Sequence, residues 1–440
     1  MSDPLRDLLD EADAADIALH SLEVTIAGRT VVRTGIRPFG PDAPHRLYSV
    51  SKTFTGIAVL LLAEEGALQL GDRIATHFPE YAPVHPWLAE TTLDDMLAMV
   101  GPHSRTTYVE ASDSWLPSYF QVPPTHRPGA LFTYDTSASY VLAALVERLS
   151  GESMLDYLRP RLLDPLGIEA RDARMLTGPE GIAHGGSGLV MTPGGLLAVA
   201  EVINRGGCRG ERRILPERVV QRLLERRSDP ATQTWGAALR AGYGRQIWLP
   251  GGRSWMMFGL GGQIAYGDPD RDLAAVITAD TTTLVGGDQR LVEMLLRALA
   301  ALDPDAVSAA SLAPPTPPHE PAAARRVPGT AALITGEDAP AELLVEIDAD
   351  GGRASWDAEH ELSFSTRHPT TVHSPLGEAV VTAGWSAPGV LDVRLSAVGD
   401  DIASVRLRLV CGADGILTAM SQGYGPAIDA SWTWRGSYRL

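Results

Sequence analysis

Apolar residues first recur at helical spacing over residues 5–14, where Leu5, Leu8, Leu9 and Ala12 share a face and predict a short amphipathic helix. Alternation follows, and residues 17–26 and 30–33 read as two strands of a hairpin turned near Gly28. A strongly apolar helix is predicted over 49–65, ended by Gly66, which can take the left-handed conformation that closes helices. The middle, 71–210, mixes helices with loops rich in proline and glycine; its clearest helix is 137–149, with Gly151 just past its end. Pro216 opens another helix at 216–227. Strands return at 245–249, 263–266 and 273–278, and a last helix spans 289–302. Strands at both ends around a helix-rich middle predict one antiparallel sheet flanked by helices, an α/β (α+β) fold with a helical subdomain.

Residues 311–328 are rich in proline and alanine, carry no apolar periodicity and read as a linker. Beyond it the period changes to that of short strands separated by Gly, Asp or Pro turns, at 342–347, 353–356, 379–383, 390–396, 404–410, 417–420 and 431–438. That texture predicts a small antiparallel barrel or sandwich. The expected organisation is a catalytic-sized domain over 1–310, the linker over 311–328 and an all-β domain over 329–440.

Composition narrows the function more than the fold. The chain has 440 residues, 45% hydrophobic and 21% charged, in line with soluble globular proteins. Its formal net charge of −17 repels polyanions and argues against nucleic acid or an anionic membrane as partner. The longest apolar run, 57–63, is too short to span a bilayer. The start, Met1-Ser2-Asp3-Pro4-Leu5, lacks the basic and apolar regions of a secretory signal. Two cysteines, Cys208 and Cys411, are too few for a disulfide framework. Together these readings place the protein in the cytoplasm.

Three segments can carry chemistry. Ser49-Val50-Ser51-Lys52-Thr53-Phe54-Thr55-Gly56 puts Ser49 and Lys52 one turn apart at a helix start, where free N–H groups suit an oxyanion. A desolvated Lys52 becomes a base for Ser49; a capping serine with a surface lysine is the plain alternative. Gly129-Ala130-Leu131-Phe132-Thr133-Tyr134-Asp135-Thr136 runs straight into a helix. Tyr134 there either presents its phenol to a site or only packs, with Asp135 or Thr136 as cap. Phe258-Gly259-Leu260-Gly261-Gly262-Gln263 places glycines inside a strand pattern, as close approach of a ligand or backbone requires, on an edge strand able to donate an N–H to an oxyanion. No metal-binding or cofactor motif is present in the sequence, and none is expected.

In this order and spacing the three segments resemble the serine β-lactamase and penicillin-binding protein superfamily, and in particular its class C-like esterases, D-amino peptidases and amide hydrolases, over roughly residues 5–303. The resemblance implies that Ser49 is acylated, that Lys52 is its first base or electrostatic helper, and that Tyr134 takes the place of the Tyr-x-Asn tyrosine. It also implies an oxyanion hole made by the amides of Ser49 and Leu260, with Gly259 and Gly261 beside the substrate. The proline-rich joint and all-β tail are similar to members with a lipocalin-like C-terminal domain. Two positions depart from the pattern. Thr136 replaces the asparagine that would hold the lysine and substrate carbonyl. Met257-Phe258-Gly259 stands where a Lys- or His-x-Gly would greet a substrate carboxylate, unless Arg245 or Arg253 supplies that charge. Small esters, amides or peptide-like molecules are therefore expected rather than β-lactams.

Further candidates are His103 and Tyr108, lining the cleft or simply exposed, and Ser187 in the tight loop Gly185-Gly186-Ser187-Gly188. Arg435, between Trp434 and Gly436, either reaches the cleft from the last strand or lies solvated on an edge. Hydrolysis is the expected reaction. Transfer of the acyl group to an amine or alcohol in natural-product biosynthesis is the rival within the class, and a catalytically silent sensor or binding protein is the rival outside it.

Overall fold

The computed structural model describes residues 3–110, 114–233, 235–303, 305, 308–320, 324–327, 329–348 and 350–440. Helix α1 (Pro4–Ala14) leads into β1 (Ala18–Ile26) and β2 (Arg29–Gly35). The middle contributes α2 (Ser51–Glu64), α3 (Thr136–Ser150) and α4 (Pro193–Asn204). The chain then returns to the sheet with β3 (Trp248–Gly251), β4 (Ser254–Gly259), β5 (Gln263–Asp268) and β6 (Leu273–Asp280), before α5 (Gly287–Ala301). The strand order is β2-β1-β6-β5-β4-β3, with β1 antiparallel to β6 so that Leu22 faces Ile277. The two ends of the domain thus make one sheet, as the order of elements predicts.

Every residue of β6 is buried, so both faces of the sheet are covered. Leu273, Ala275, Ile277 and Ala279 point to the layer of α1 and α5, where Leu5, Leu8, Leu291 and Leu295 meet them. Ala274 and Val276 point the other way, into the larger core that α2, α3 and α4 share. Among the described residues no helix is long and apolar enough to cross a membrane.

The C-terminal strands are β7 (Thr330–Glu337), β8 (Glu342–Ile347), β9 (Gly351–Ser355), β10 (Glu361–Ser365), β11 (Thr370–Ser374), β12 (Gly377–Ala387), β13 (Val390–Val398), β14 (Ile402–Cys411), β15 (Ile416–Tyr424) and β16 (Trp434–Arg439). They form one antiparallel sheet in the order β10-β9-β8-β7-β16-β15-β14-β13-β12-β11, curled into a nearly closed barrel around Trp385, Leu391, Leu409 and Tyr438. The chain closes the order by placing β16 beside β7. The segment expected as a linker does more than join. Pro315 accepts a hydrogen bond from Thr382 Oγ1 at 2.7 Å, Glu320 N–H donates to the Trp385 carbonyl, and Val327 bridges to Ile347 inside the barrel. Residues 321–323 and 328 of that segment lie outside the described residues.

Candidate active site

From His45 to Leu62 every residue is buried except Ser49. The reason is local: α2 is apolar on all sides, and a helix of that kind belongs in the core. Its polar members find partners there, Ser51 Oγ accepting from Leu189 N–H at 2.9 Å and Thr53 Oγ1 donating to the Gln246 carbonyl at 2.7 Å. Only the first turn opens outward. A 3₁₀ turn over Tyr48–Val50 precedes α2, and Tyr48 has φ +47°, a left-handed conformation that a side chain makes costly.

Lys52 is 1% exposed and its Nζ meets three groups: Ser49 Oγ at 2.9 Å, the Gly186 carbonyl at 2.7 Å and Thr136 Oγ1 at 3.2 Å. Burial pulls its pKa from 10.5 down to about 7, against the opposing pull of the Asp135 carboxylate. A neutral amine has two hydrogens, enough for Gly186 and Thr136, and a lone pair left to face Ser49. Thr136 thus fills the position of the missing asparagine as an acceptor for the lysine. Asp135 is the residue that caps α3, accepting from Ser137 N–H at 2.8 Å, and burial raises its carboxyl to about 6.

Tyr134 stands over the lysine, with Lys52 Nζ 4.7 Å from its ring centroid. Its ring stacks on Trp248 at 5.4 Å and meets the edges of Trp235 and Tyr243. Burial holds the phenol well above its ordinary range, and its interaction with Ser49 draws it partly back. The aromatic box of Trp235, Tyr243 and Trp248 had no motif to announce it; aromatic residues thirteen positions apart at most, in a loop and a short strand, meet only in the folded chain.

The third segment comes from β4, which sequence periodicity passed over because five of its six positions are apolar or glycine and do not alternate. It is not an edge strand, since β3 pairs with it at Trp248–Met256 and Gly251–Ser254. That pairing stops at Met256, so Met257 to Gly259 run on beyond the end of β3. A Cβ on Gly259 would lie 2.2 Å from the Leu47 carbonyl oxygen and 3.2 Å from Ser49 N, so glycine is what lets this strand touch the nucleophile's backbone. Leu260 follows, 44% exposed, and Gly261 turns the chain with φ +79°.

The other candidates divide. Tyr108 is brought to the site: its hydroxyl bonds His184 Nε2 at 3.1 Å, in the turn that carries Gly186, and its ring stacks on Trp115 at 4.2 Å. Ser187 lies in that same loop and offers its carbonyl to Arg46 Nε at 2.7 Å. His103 is corrected. It is 2% exposed, its Nε2 bonds the Tyr119 carbonyl at 3.0 Å, and it leaves no face to a substrate. Arg435 is corrected as well. The register of β7 on β16 sets it opposite Glu337, with which it pairs on the outside of the barrel, its side chain 68% exposed. Neither alternative cation reaches the cleft: Arg245 is buried between Asp94 and Glu225, and Arg253 pairs with Asp270 at the far end of β4.

The barrel also holds a Ser431–His360–Asp357 arrangement, with Ser431 Oγ 2.8 Å from His360 Nε2 and Asp357 2.7 Å from Nδ1. Ser431 donates its hydroxyl hydrogen to Asp429, however, so that hydrogen is directed away from Nε2. That polarity is opposite to a nucleophile facing its base.

Known proteins resemble this chain in sequence and in fold. The chain is 26% identical to 6-aminohexanoate-dimer hydrolase of Paenarthrobacter ureafaciens over 261 residues, 54% of this chain and 66% of that one. It is also 26% identical to Protein Rv1367c of Mycobacterium tuberculosis over 174 residues, 33% of this chain and 43% of its relative, so the match spans less than half of that protein's length. In fold it is similar to the octameric penicillin-binding protein homologue from Pyrococcus abyssi, with a TM-score of 0.55 at 13% identity over 99% of each chain. A family model for beta-lactamases matches residues 5–299, which take in Ser49, Lys52, Tyr134, Thr136 and Leu260, and the chain belongs to the beta-lactamase family.

Proposed function

We propose that the chain is a serine hydrolase that forms an acyl-enzyme on Ser49 and cleaves an ester or amide bond in a small or peptide-like substrate. The observation that carries this is the contact of a buried, weakly basic lysine with a serine that is itself partly exposed. Neutral Lys52 takes the Ser49 proton as Oγ attacks the substrate carbonyl carbon. The resulting oxyanion is held by the amides of Ser49 and Leu260, a pairing supported by the close passage of Gly259, the residue before Leu260, along the backbone at Leu47 and Ser49. Tyr134, neutral because burial disfavours its phenolate, sits beside Ser49 and passes its proton to the leaving group as it takes back the one that Lys52 received from Ser49. Water then attacks the ester on Ser49 with the same groups acting in reverse. An amine or alcohol in place of that water would give acyl transfer.

Met257 is buried and uncharged at the position that would meet a substrate carboxylate, which favours neutral esters, amides or amidated termini. The test is labelling with a fluorophosphonate followed by peptide mass spectrometry. The adduct is expected on Ser49 and absent from Ser49→Ala, with the fold retained because loss of one hydroxyl opens no cavity. An adduct on Ser187 or Ser431 instead would refute the assignment.

A further inference from the structure

The barrel reaches the Ser49 segment through the turn between β13 and β14. Ile402, the first residue of β14, is fully buried in a small cluster with Ile36, Phe39, Tyr48, Val380 and Val398. Its backbone N–H donates to the Tyr48 hydroxyl at 2.9 Å. Its side-chain tip lies against the oxyanion loop, for a Cβ on Gly261 would be 2.1 Å from Ile402 Cδ1. The two residues before it hold a third wall. The Asp400 carbonyl accepts from Arg46, and the Asp401 carboxylate is 3.4 Å from Arg46 Nη1. Arg46 in turn donates to Ser187, next to the Gly186 carbonyl that orients Lys52.

We propose that Ile402 is a positioning residue for the Ser49 centre, one whose backbone fixes Tyr48 and whose side chain seats Gly261, so that the barrel sets the spacing of the two oxyanion donors. The inference rests on the acyl-enzyme reading above. Its physical basis is that Tyr48 and Gly261 each directly precede or follow a donor residue, Ser49 and Leu260, and both take left-handed backbone conformations. Tyr48 is there in spite of its Cβ, so contacts beyond its own segment must hold it. From the barrel, the Ile402 N–H and the Asp401 carboxylate meet its hydroxyl and Val380 and Val398 share its apolar cluster, while Arg46, in its own segment, stands 4.8 Å from its ring centroid. Ile402 touches no reacting atom, yet a shift of about 1 Å in either donor is enough to slow acylation strongly.

The experiment measures the rate of fluorophosphonate labelling of Ser49 in the full chain, well below each variant's Tm, with the saturation constant of the probe determined separately. Tyr48→Phe, which keeps the ring and removes the hydroxyl that the Ile402 N–H and Asp401 meet, and Ile402→Ala are expected to lower the maximal labelling rate about ten-fold while the saturation constant holds. Ile402→Leu, which restores reach towards Gly261, is expected to return most of that rate. Leu409→Ala truncates the core on the same strand β14 away from Tyr48, so Tm falls but labelling stays at the parent rate. Parent-like labelling by both Tyr48→Phe and Ile402→Ala overturns the inference and leaves the acyl-enzyme reading standing. So does a Leu409→Ala rate as low as that of Ile402→Ala. A parent protein that takes no label on Ser49 overturns the acyl-enzyme reading, and the inference with it. Where Ile402→Ala does not fold, Tyr48→Phe decides.

Discussion

Replacing Lys52 by methionine keeps the length and the apolar stem of the side chain and removes the buried amine. A lysine whose pKa falls from 10.5 to about 7 on folding is a cost to the folded state. The sign follows from proton binding in the two states. Below about pH 7 both states hold the proton, and the full cost of about 5 kcal/mol applies, at about 1.4 kcal/mol for each pH unit between the two values. Between about 7 and 10.5 the unfolded chain still binds the proton and the folded chain does not, so the parent gains stability as pH rises. Above that interval the cost is gone. Lys52→Met escapes it throughout but leaves the Gly186 carbonyl without its partner, a loss of about 1 to 3 kcal/mol. The variant should therefore be more stable than the parent by about 2 to 4 kcal/mol at pH 7 and lose that advantage by about pH 10. It should also take no label on Ser49, a trade of function for stability. Urea or thermal unfolding of both proteins at pH 7, 8.5 and 10 measures the difference, in which titrations common to both cancel. A stability difference that is the same at all three pH values would refute the reasoning, because Lys52 would then be no more acidic folded than unfolded.

Thr136→Val should slow Ser49 labelling about ten-fold by removing the acceptor for Lys52, and Thr136→Asn, which restores a carbonyl there, should retain the parent rate; equal rates for all three would detach Thr136 from the site. Nitrocefin should be turned over poorly, since truncating one partner of an ion pair to a bound carboxylate typically costs about 2 to 5 kcal/mol and Met257 offers no such partner; rapid turnover would mean a cation reaches the cleft from elsewhere. Arg435→Ala should leave kcat/KM and Tm unchanged, because its pair with Glu337 is exposed and such pairs contribute about 0 to 1 kcal/mol; a ten-fold loss in kcat/KM would return Arg435 to the cleft.

Much of the molecule was legible in one dimension. The strand at 342–347 falls on β8 residue for residue, and the helix at 137–149 lies within α3, with Gly151 left-handed just past its end. Period and capping are local properties, set by neighbours in the chain. So is the meeting of Ser49 with Lys52, which one helical turn guarantees. What that turn leaves open is whether the lysine lies in water or in the core. The packing of α2 among α3 and the loop of Gly186 decided it, and with it the basicity of the amine.

Residues judged one at a time went astray where strand register or burial decides. Arg435 sits in a strand that was anticipated, but the register of β16 on β7 alone turns it outward to Glu337. His103 follows a helix as a cleft-lining residue would, yet the ring is enclosed against Tyr119. Strand β4 has no alternation because both of its faces are covered, so its motif showed only as glycines. Ile402 is an ordinary β-branched residue in an ordinary strand, and nothing in the sequence around it points to Tyr48 or Gly261. Those contacts join residues 354 and 141 positions apart, and a relation across that distance exists only once the barrel has docked on the sheet. The sequence by itself determined several of the helices, most strands and the pair at the centre of the site. The tertiary structure decided the environment of that pair, since desolvation and orientation are properties of everything packed around a group and not of the group's neighbours in the chain.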